Sequence, residues 1–308
     1  MELRHLETLI AIEEEGTFTA AADRLRTVQS NVSEQIRQLE AELGVTLLAR
    51  GRSGARPTES GRVVITHARR IRRELAVMHE DVAALQGLQV GSASFGIVGT
   101  ASRWLVPALV ADLHTRAPGI ELRVNEGASE RLLAEVLDQE LAQAVVTEPV
   151  RDERLAVEHL MDEALVGLAP PGTELPTEPV PFEALAEMSL VLPPSGNPLR
   201  IEIEQVARAR GVVLPVRVEV EGIRLIADLV VAGAGVSVLP ETAIPPELES
   251  VVIFAIADLP PRRLALISPK ASPLSLADRA VRETVLQIVA DARASTPRVS
   301  RAGRTGRC

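Results

Sequence analysis

The 308-residue chain has no tyrosine, and aromatic residues make up only 2% of it, so little is available for an aromatic cage around a ligand. Lysine is almost missing too. Lys270 is the only one, and arginine carries nearly all the positive charge. The single cysteine is the last residue, Cys308, which excludes internal disulfides, a cysteine-based metal site and a cysteine nucleophile, and fits a reducing compartment. No basic-apolar-small leader opens the chain. The longest apolar region, Leu225 to Pro240, is broken by Asp228 and glycines and reads as helix–turn–strand, not a membrane span. A cytoplasmic protein without membrane contact is expected. The five histidines (His5, His67, His79, His114, His159) are scattered without metal-ligand spacing, and no GxSxG, P-loop or GxGxxG occurs. Neither an enzyme, a metal nor a cofactor is expected.

The formal net charge of −9 argues at first against nucleic acid, but its distribution reverses that. From Arg24 to Arg73 there are eleven arginines against four acids (Glu34, Glu40, Glu42, Glu59), a local excess of +7, so the remainder carries −16. A basic segment on an acidic protein is the footprint of a DNA-binding module joined to something else. It coincides with a predicted helix pair, Gly16 to Gly44. Thr17 caps the first helix, on which Phe18, Ala21, Ala22 and Leu25 share a face. After the turn, Val32, Ile36, Leu39 and Leu43 form a stripe at helical period. Thr27, Gln29, Ser30, Asn31, Ser33, Glu34 and Arg37 fall off that stripe as hydrogen-bonding groups suited to base edges in a major groove. The alternative for this stretch alone is an ordinary helical hairpin with a polar outer face.

An amphipathic helix with Leu3, Leu6, Leu9 and Ile10 precedes the pair and ends near Gly16. Val45 to Pro57 reads as a small wing from which Arg50, Arg52 and Arg56 project toward phosphates. Thr58 then caps a long helix on which Val64, Ala68, Ile71, Leu75, Met78, Val82 and Leu85 alternate steps of four and three. That is a coiled-coil seam, expected to hold two readers at a fixed spacing on a pseudo-palindromic operator. The alternative is a helix packed on its own domain. Gly87 and Gly91 mark its end.

From Val90 strands alternate with helices, an α/β pattern with open, largely parallel sheets in two lobes. Strands are predicted at 94–98, 120–124, 144–146, 165–168, 189–192, 216–220, 236–239, 251–256 and 264–268, with helices at 104–115 and 129–139 among the connections. Pro170 to Pro181 suggests a crossing near the middle. Ligands of such sheets sit at strand carboxyl ends against helix N-termini. Thr100, Ser102 and Arg103 open one helix and Ser129 another. Ser195 and Asn197 follow a strand of the other lobe, while Thr147 and Arg224 end or follow strands. Helix N-termini and hydroxyls predict a small anionic effector.

Three pieces, MELRHLETLIAIEEEGTFTAAADRL, VQSNVSEQIRQLEAELGVTLLAR and ARPTESGR, in this order and spacing, resemble LysR-type transcriptional regulators; RAPGIELRVNEG and VVAGAGVSVLP agree with the effector domain of that family more loosely. The resemblance implies an N-terminal all-α winged helix-turn-helix (1–58), a dimerising linker helix (59–88), and a C-terminal α/β two-lobed domain like periplasmic binding proteins (89–296). Lobe I would hold 89–165 and 267–296 and lobe II 166–266, with a disordered tail at 297–308. It implies a sequence-specific, effector-controlled DNA-binding regulator, a homodimer assembling into a homotetramer. Some positions depart from the family pattern. Glu34 stands where a base is common, Val28 where a capping Ser or Thr is common, Leu48 and Pro57 replace Phe and Leu, and Ala142 replaces Asp. A second reading is a small-molecule-binding protein or enzyme of periplasmic-binding type whose N-terminal helices serve only assembly. A third is a structural nucleoid binder, against which the large acidic α/β region argues.

Overall fold

The structure, a computed structural model, describes residues 1–51, 54–85, 90–244, 248 and 250–294. Arg52, Gly87 and the tail from 297 lie outside the described residues, as do the side chains of Arg50 and Leu85.

Three helices, α1 (Leu3–Glu15), α2 (Phe18–Arg24) and α3 (Gln29–Leu43), form the N-terminal unit. α1 stops where Gly16 turns left-handed at φ 73°. Thr17 caps α2 by accepting from the Ala20 N–H at 3.1 Å, a contact that contributes about 1 kcal/mol. Val28 gives α3 no side-chain cap. Leu9, Ile10, Ile12, Ala21, Val32, Ile36 and Leu39 close into one core. The wing pairs β1 (Leu48–Gly51) with β2 (Gly54–Pro57) in antiparallel register. Glu40 of α3 fixes its entry by accepting from the Leu47 N–H at 2.7 Å. Gly54 sits so close to the α1–α2 turn that a Cβ would come 2.3 Å from the Gly16 carbonyl oxygen.

Thr58 caps α4 (Glu59–Leu85) by accepting from the Gly61 N–H at 3.0 Å. Gly61 is required there, since a Cβ would stand 2.1 Å from the Leu47 carbonyl oxygen. The seam expected along α4 needs correction at its start. Ala68 is 1% exposed inside the N-terminal core, and Val64 packs against the same core. A heptad stripe and a core-facing stripe share nearly the same period, and here the first two positions serve the chain's own domain. Further along, Ile71, Met78 and Val82 are 42%, 49% and 52% exposed.

Lobe I is a five-stranded sheet in the order β4-β3-β5-β12-β6, built from β3 (Val90–Ile97), β4 (Gly119–Glu126), β5 (Gln143–Thr147), β6 (Leu155–Glu163) and β12 (Arg262–Pro269). Its helices are α5 (Gly99–Arg116), α6 (Ser129–Leu137) and α9 (Leu276–Ala294). Leu105, Leu109, Leu132, Val136, Val281 and Val285 bury their side chains on Phe95, Ile97 and Leu266. Ala142, one of the positions that depart from the family pattern, is fully buried, and its N–H donates to Ser94 Oγ at 3.0 Å.

Lobe II holds β7 (Leu165–Ala169), β8 (Leu190–Leu192), β9 (Val216–Glu219), β10 (Ser237–Pro240) and β11 (Val252–Ala255), with α7 (Pro198–Ala209), α8 (Ile223–Val231) and two 3-10 turns (Phe182–Glu187, Glu241–Ala243). β7 lies between β10 and β11, β8 pairs with β9, and a bridge from Leu190 to Val236 links the two sets. The sheets are mixed, not largely parallel: β12 runs antiparallel to both β5 and β6, and β7 to both β10 and β11. The chain crosses at Ala164, beside the expected Leu165. It returns by Arg262, earlier than the expected Ile267, because residues 262–266 already pair with β6 or β5 in lobe I. The Pro170 to Pro181 segment is internal to lobe II.

Candidate functional site

The first candidate surface is the outer face of α3 with the wing. Gln29, Ser30 and Asn31 are exposed on its first turn, and Val32 and Ile36 hold the opposite side in the core. Asn31 Nδ2 donates to Thr27 Oγ1 at 2.9 Å, which orients both side chains at the helix entrance. Ser33 is half-buried. Glu34 accepts from Arg37 at 2.8 and 2.6 Å and from Gln38 at 2.8 Å. The Arg37 and Gln38 hydrogen bonds hold its carboxyl down at about 2, so the departing acid on the reading face is matched by its own cation. Arg56 is exposed on β2.

The positive excess of this region is partly spent inside the molecule. Arg24 pairs with Glu14 and Glu15, Arg72 with Glu14, Arg69 with Glu13 at 2.7 Å and Glu140 at 2.9 Å, and Arg73 with Asp278 at 2.6 Å. Arg69 and Arg73 therefore tie α4 to α1 on one side and to lobe I on the other. Glu80, buried further along, accepts from the Ser92 and Ala277 N–H groups, each at 3.3 Å.

The second candidate surface lies between the lobes. Thr100, at the start of α5, and Thr147, at the end of β5, both accept from Arg262 Nη2, at 2.6 and 3.2 Å. Ser129 Oγ accepts from the Thr147 N–H at 3.0 Å. Three expected residues, Thr100, Ser129 and Thr147, thus converge, and Arg262 joins them. Its Nε lies 2.9 Å from Glu163 Oε2, with side chains 4% and 0% exposed. Glu163 in turn accepts from Thr242 of lobe II. Burial pushes the Glu163 carboxyl up, and Arg262 and Thr242 oppose that push. Arg262, Thr147, Glu202, Val206, Leu165 and Pro260 contribute to the wall of a cavity of about 410 Å³ against the crossing strands. The volume is that of a small-molecule pocket.

The other expected residues lie elsewhere. Ser102 donates to the Gly99 carbonyl at 2.9 Å and to Glu126 at 2.6 Å. Arg103 is half-buried on the same turn. Asn197 caps α7 by accepting from the Leu199 N–H at 3.0 Å, and Ser195 is exposed beside it. Arg224 is exposed on α8, 3.9 Å from Asp228. Sequence reasoning missed Arg262, Glu163, Glu202 and Thr242. The available signal was a pair of charges, Glu163 and Arg262, abutting apolar strands at both crossings.

Among the described residues no helix is long and apolar enough to cross a membrane, and no three His, Cys, Asp or Glu side chains are grouped to hold a metal ion.

Comparisons with known proteins agree with this architecture. The bacterial regulatory helix-turn-helix family of lysR type matches residues 3–62, and the LysR substrate binding domain matches residues 86–290. The DNA-binding transcriptional dual regulator OxyR of Escherichia coli K12 is 31% identical over 279 residues, 89% of this chain and 91% of that protein. The full-length OxyR structure from Pseudomonas aeruginosa superposes with a TM-score of 0.73 at 23% identity, over 94% of this chain and 97% of that one. Full-length CbnR complexed with its target DNA gives 0.63 at 22% identity, over 94% and 100%. With a reader, a linker helix and a two-lobed domain in one chain, the protein belongs to the LysR family of DNA-binding transcriptional regulators with effector-binding domains.

Proposed function

We propose that the chain reads a specific, pseudo-palindromic operator as a dimer and changes its hold on that operator when a small molecule enters the interlobe cavity. The observation that carries this is the exposed polar turn Gln29–Asn31 on a helix whose other face is locked into the core, beside an arginine-bearing wing. Residues 1–58 form the reader, 59–88 the linker and 89–296 the effector domain, with the return to lobe I placed at 262. The exposed run Ile71, Met78, Val82 supplies the dimer seam, Leu75 and Leu85 extend it, and two such dimers assemble a homotetramer in the cytoplasm. Residues 1–307 contain no cysteine, so no thiol switch operates in the effector domain, and non-covalent binding is the remaining input. The chain acts as no enzyme in this reading. The comparisons do not favour a binding protein or enzyme with merely structural N-terminal helices.

A footprint on the intergenic region beside its own gene, with and without a metabolite panel, tests this. A protected, dyad-related pair of half-sites whose extent changes with one metabolite is expected. Equal affinity for operator and scrambled DNA would overturn it.

A further inference from the structure

The charges around the interlobe cavity do not cancel. Arg263 pairs with Glu148 at 3.3 Å, and Arg262 pairs with Glu163 at 2.9 Å. Glu202 of α7 remains. Its Oε2 is shielded from water and has no hydrogen-bond partner among the described residues. Burial pushes the Glu202 carboxyl up, Arg262 opposes that push by attraction without a hydrogen bond, and that guanidinium is already engaged by Glu163, Thr100 and Thr147. Arg263 is shared between Glu148 and Asp162 and Arg262 is held by Glu163, so Glu202 is the carboxylate of this wall left without a partner of its own. An unpaired carboxylate withdrawn from water is costly and draws in a cation or a proton donor. The same wall offers room and apolar surface, with Val206 on the helix turn after Glu202 and Leu165 and Pro260 at the crossings.

We propose, resting on the reading of this cavity as the effector site, that the effector is a small organic cation: a protonated amine or amidine on an apolar body. Its nitrogen donates to Glu202 and its body lies along Val206, Leu165 and Pro260. This departs from the anion that the helix N-termini suggest. The hydroxyls expected to receive an anion are engaged, Thr100 by Arg262 and Ser102 by Glu126, and the one buried cation of the site has its own counter-charge. Glu202 belongs to lobe II and Arg262 to lobe I. A ligand cation that satisfies Glu202 therefore binds one arrangement of the lobes better than another, which is the condition for any effect on DNA.

An isosteric trio separates the charge types: phenylbutylammonium, phenylbutanol and phenylbutanoate, titrated calorimetrically into the full chain. The ammonium should bind at least tenfold tighter than the other two. Glu202→Gln, which keeps the shape of the side chain, should erase that preference, while Glu204→Gln two residues along should keep it. Glu202→Gln should also raise the melting temperature without ligand, because it removes the uncompensated charge; a lower one would count against that charge. Tighter binding of the carboxylate, weakened by Thr100→Val, would overturn the cationic reading and leave the cavity as the effector site. Binding of the ammonium unaffected by Glu202→Gln would remove Glu202 from the site. No heat from any of the three would overturn both readings.

Discussion

Arg73 on α4 and Asp278 in the first turn of α9 meet at 2.6 Å, with 13% and 5% of their side chains exposed. Asp278 is also half of a reciprocal cap. Its carboxylate accepts from the Ser275 N–H at 3.3 Å, and its own N–H donates to Ser275 Oγ at 3.1 Å. The linker helix therefore docks on the effector domain through the group that starts α9.

Arg73→Ala should cost about 3–5 kcal/mol at neutral pH, since it strands a buried carboxylate. Burial already raises the Asp278 carboxyl, and Arg73 opposes it. Without Arg73 the folded-state value rises further above the unfolded one. The folded variant then binds a proton that the unfolded chain has not yet taken up, so its stability recovers as pH falls toward the ordinary carboxylate range. Melting curves of both proteins from about pH 8 to pH 5 should converge. Parallel curves would show that Asp278 does not carry the loss.

Glu34→Gln releases Arg37 on the reading face. Non-specific affinity should rise, and the plot of log K against log salt should steepen by about 0.9 for one added phosphate contact. In the native protein the Glu34 carboxyl is held at about 2, so its pairing persists at every pH above that and is lost only on acidifying through it. Operator binding should thus show no titration step from this residue near pH 4. An unchanged salt slope in the variant would mean Arg37 does not reach DNA.

Substituting Arg50, Arg52 and Arg56 together by alanine should weaken binding to all sequences alike and flatten the same plot. Gln29→Ala or Ser33→Ala should instead erode preference for operator over scrambled DNA, by about 1–3 kcal/mol for a good bidentate contact. Retained preference in both would exclude them as base readers.

Met78→Asp should dissociate the dimer in sedimentation velocity while the monomer melts as before, because that side chain is half exposed within its own chain. Ala68→Asp should instead unfold the N-terminal unit, where the same substitution buries an unpaired charge. A fully populated Met78→Asp dimer would move the seam off this face.

The N-terminal helices were legible because local chemistry sets them: Thr17 and Thr58 cap where expected, and the Val32–Leu39 stripe is core. The sequence also predicts nine of the ten strands of the effector domain. β6, LAVEHLMDE, was missed because its charges break the apolar signal, and strand direction was misread because a period of two is the same either way up. Arg262 and Glu163 are 99 residues apart along the chain, and nothing local announces that two buried charges have found each other. Ala68 shows the reverse failure, a correct period assigned to the wrong partner.

α4 is held by Arg69 to Glu13 and Glu140, by Arg73 to Asp278 and by Glu80 to the first residues of α9 and β3. At 27 residues it is a strut about 40 Å long, braced from Arg69 to Glu80. In the proposed dimer, these braces leave α4 no loose joint among the described residues between Arg69 and Glu80 with which to follow a badly phased operator. Adding about five base pairs between half-sites turns one of them to the far side of the duplex. The torsion must then be taken up by the DNA or by the contact between protomers, and a full added turn restores the match.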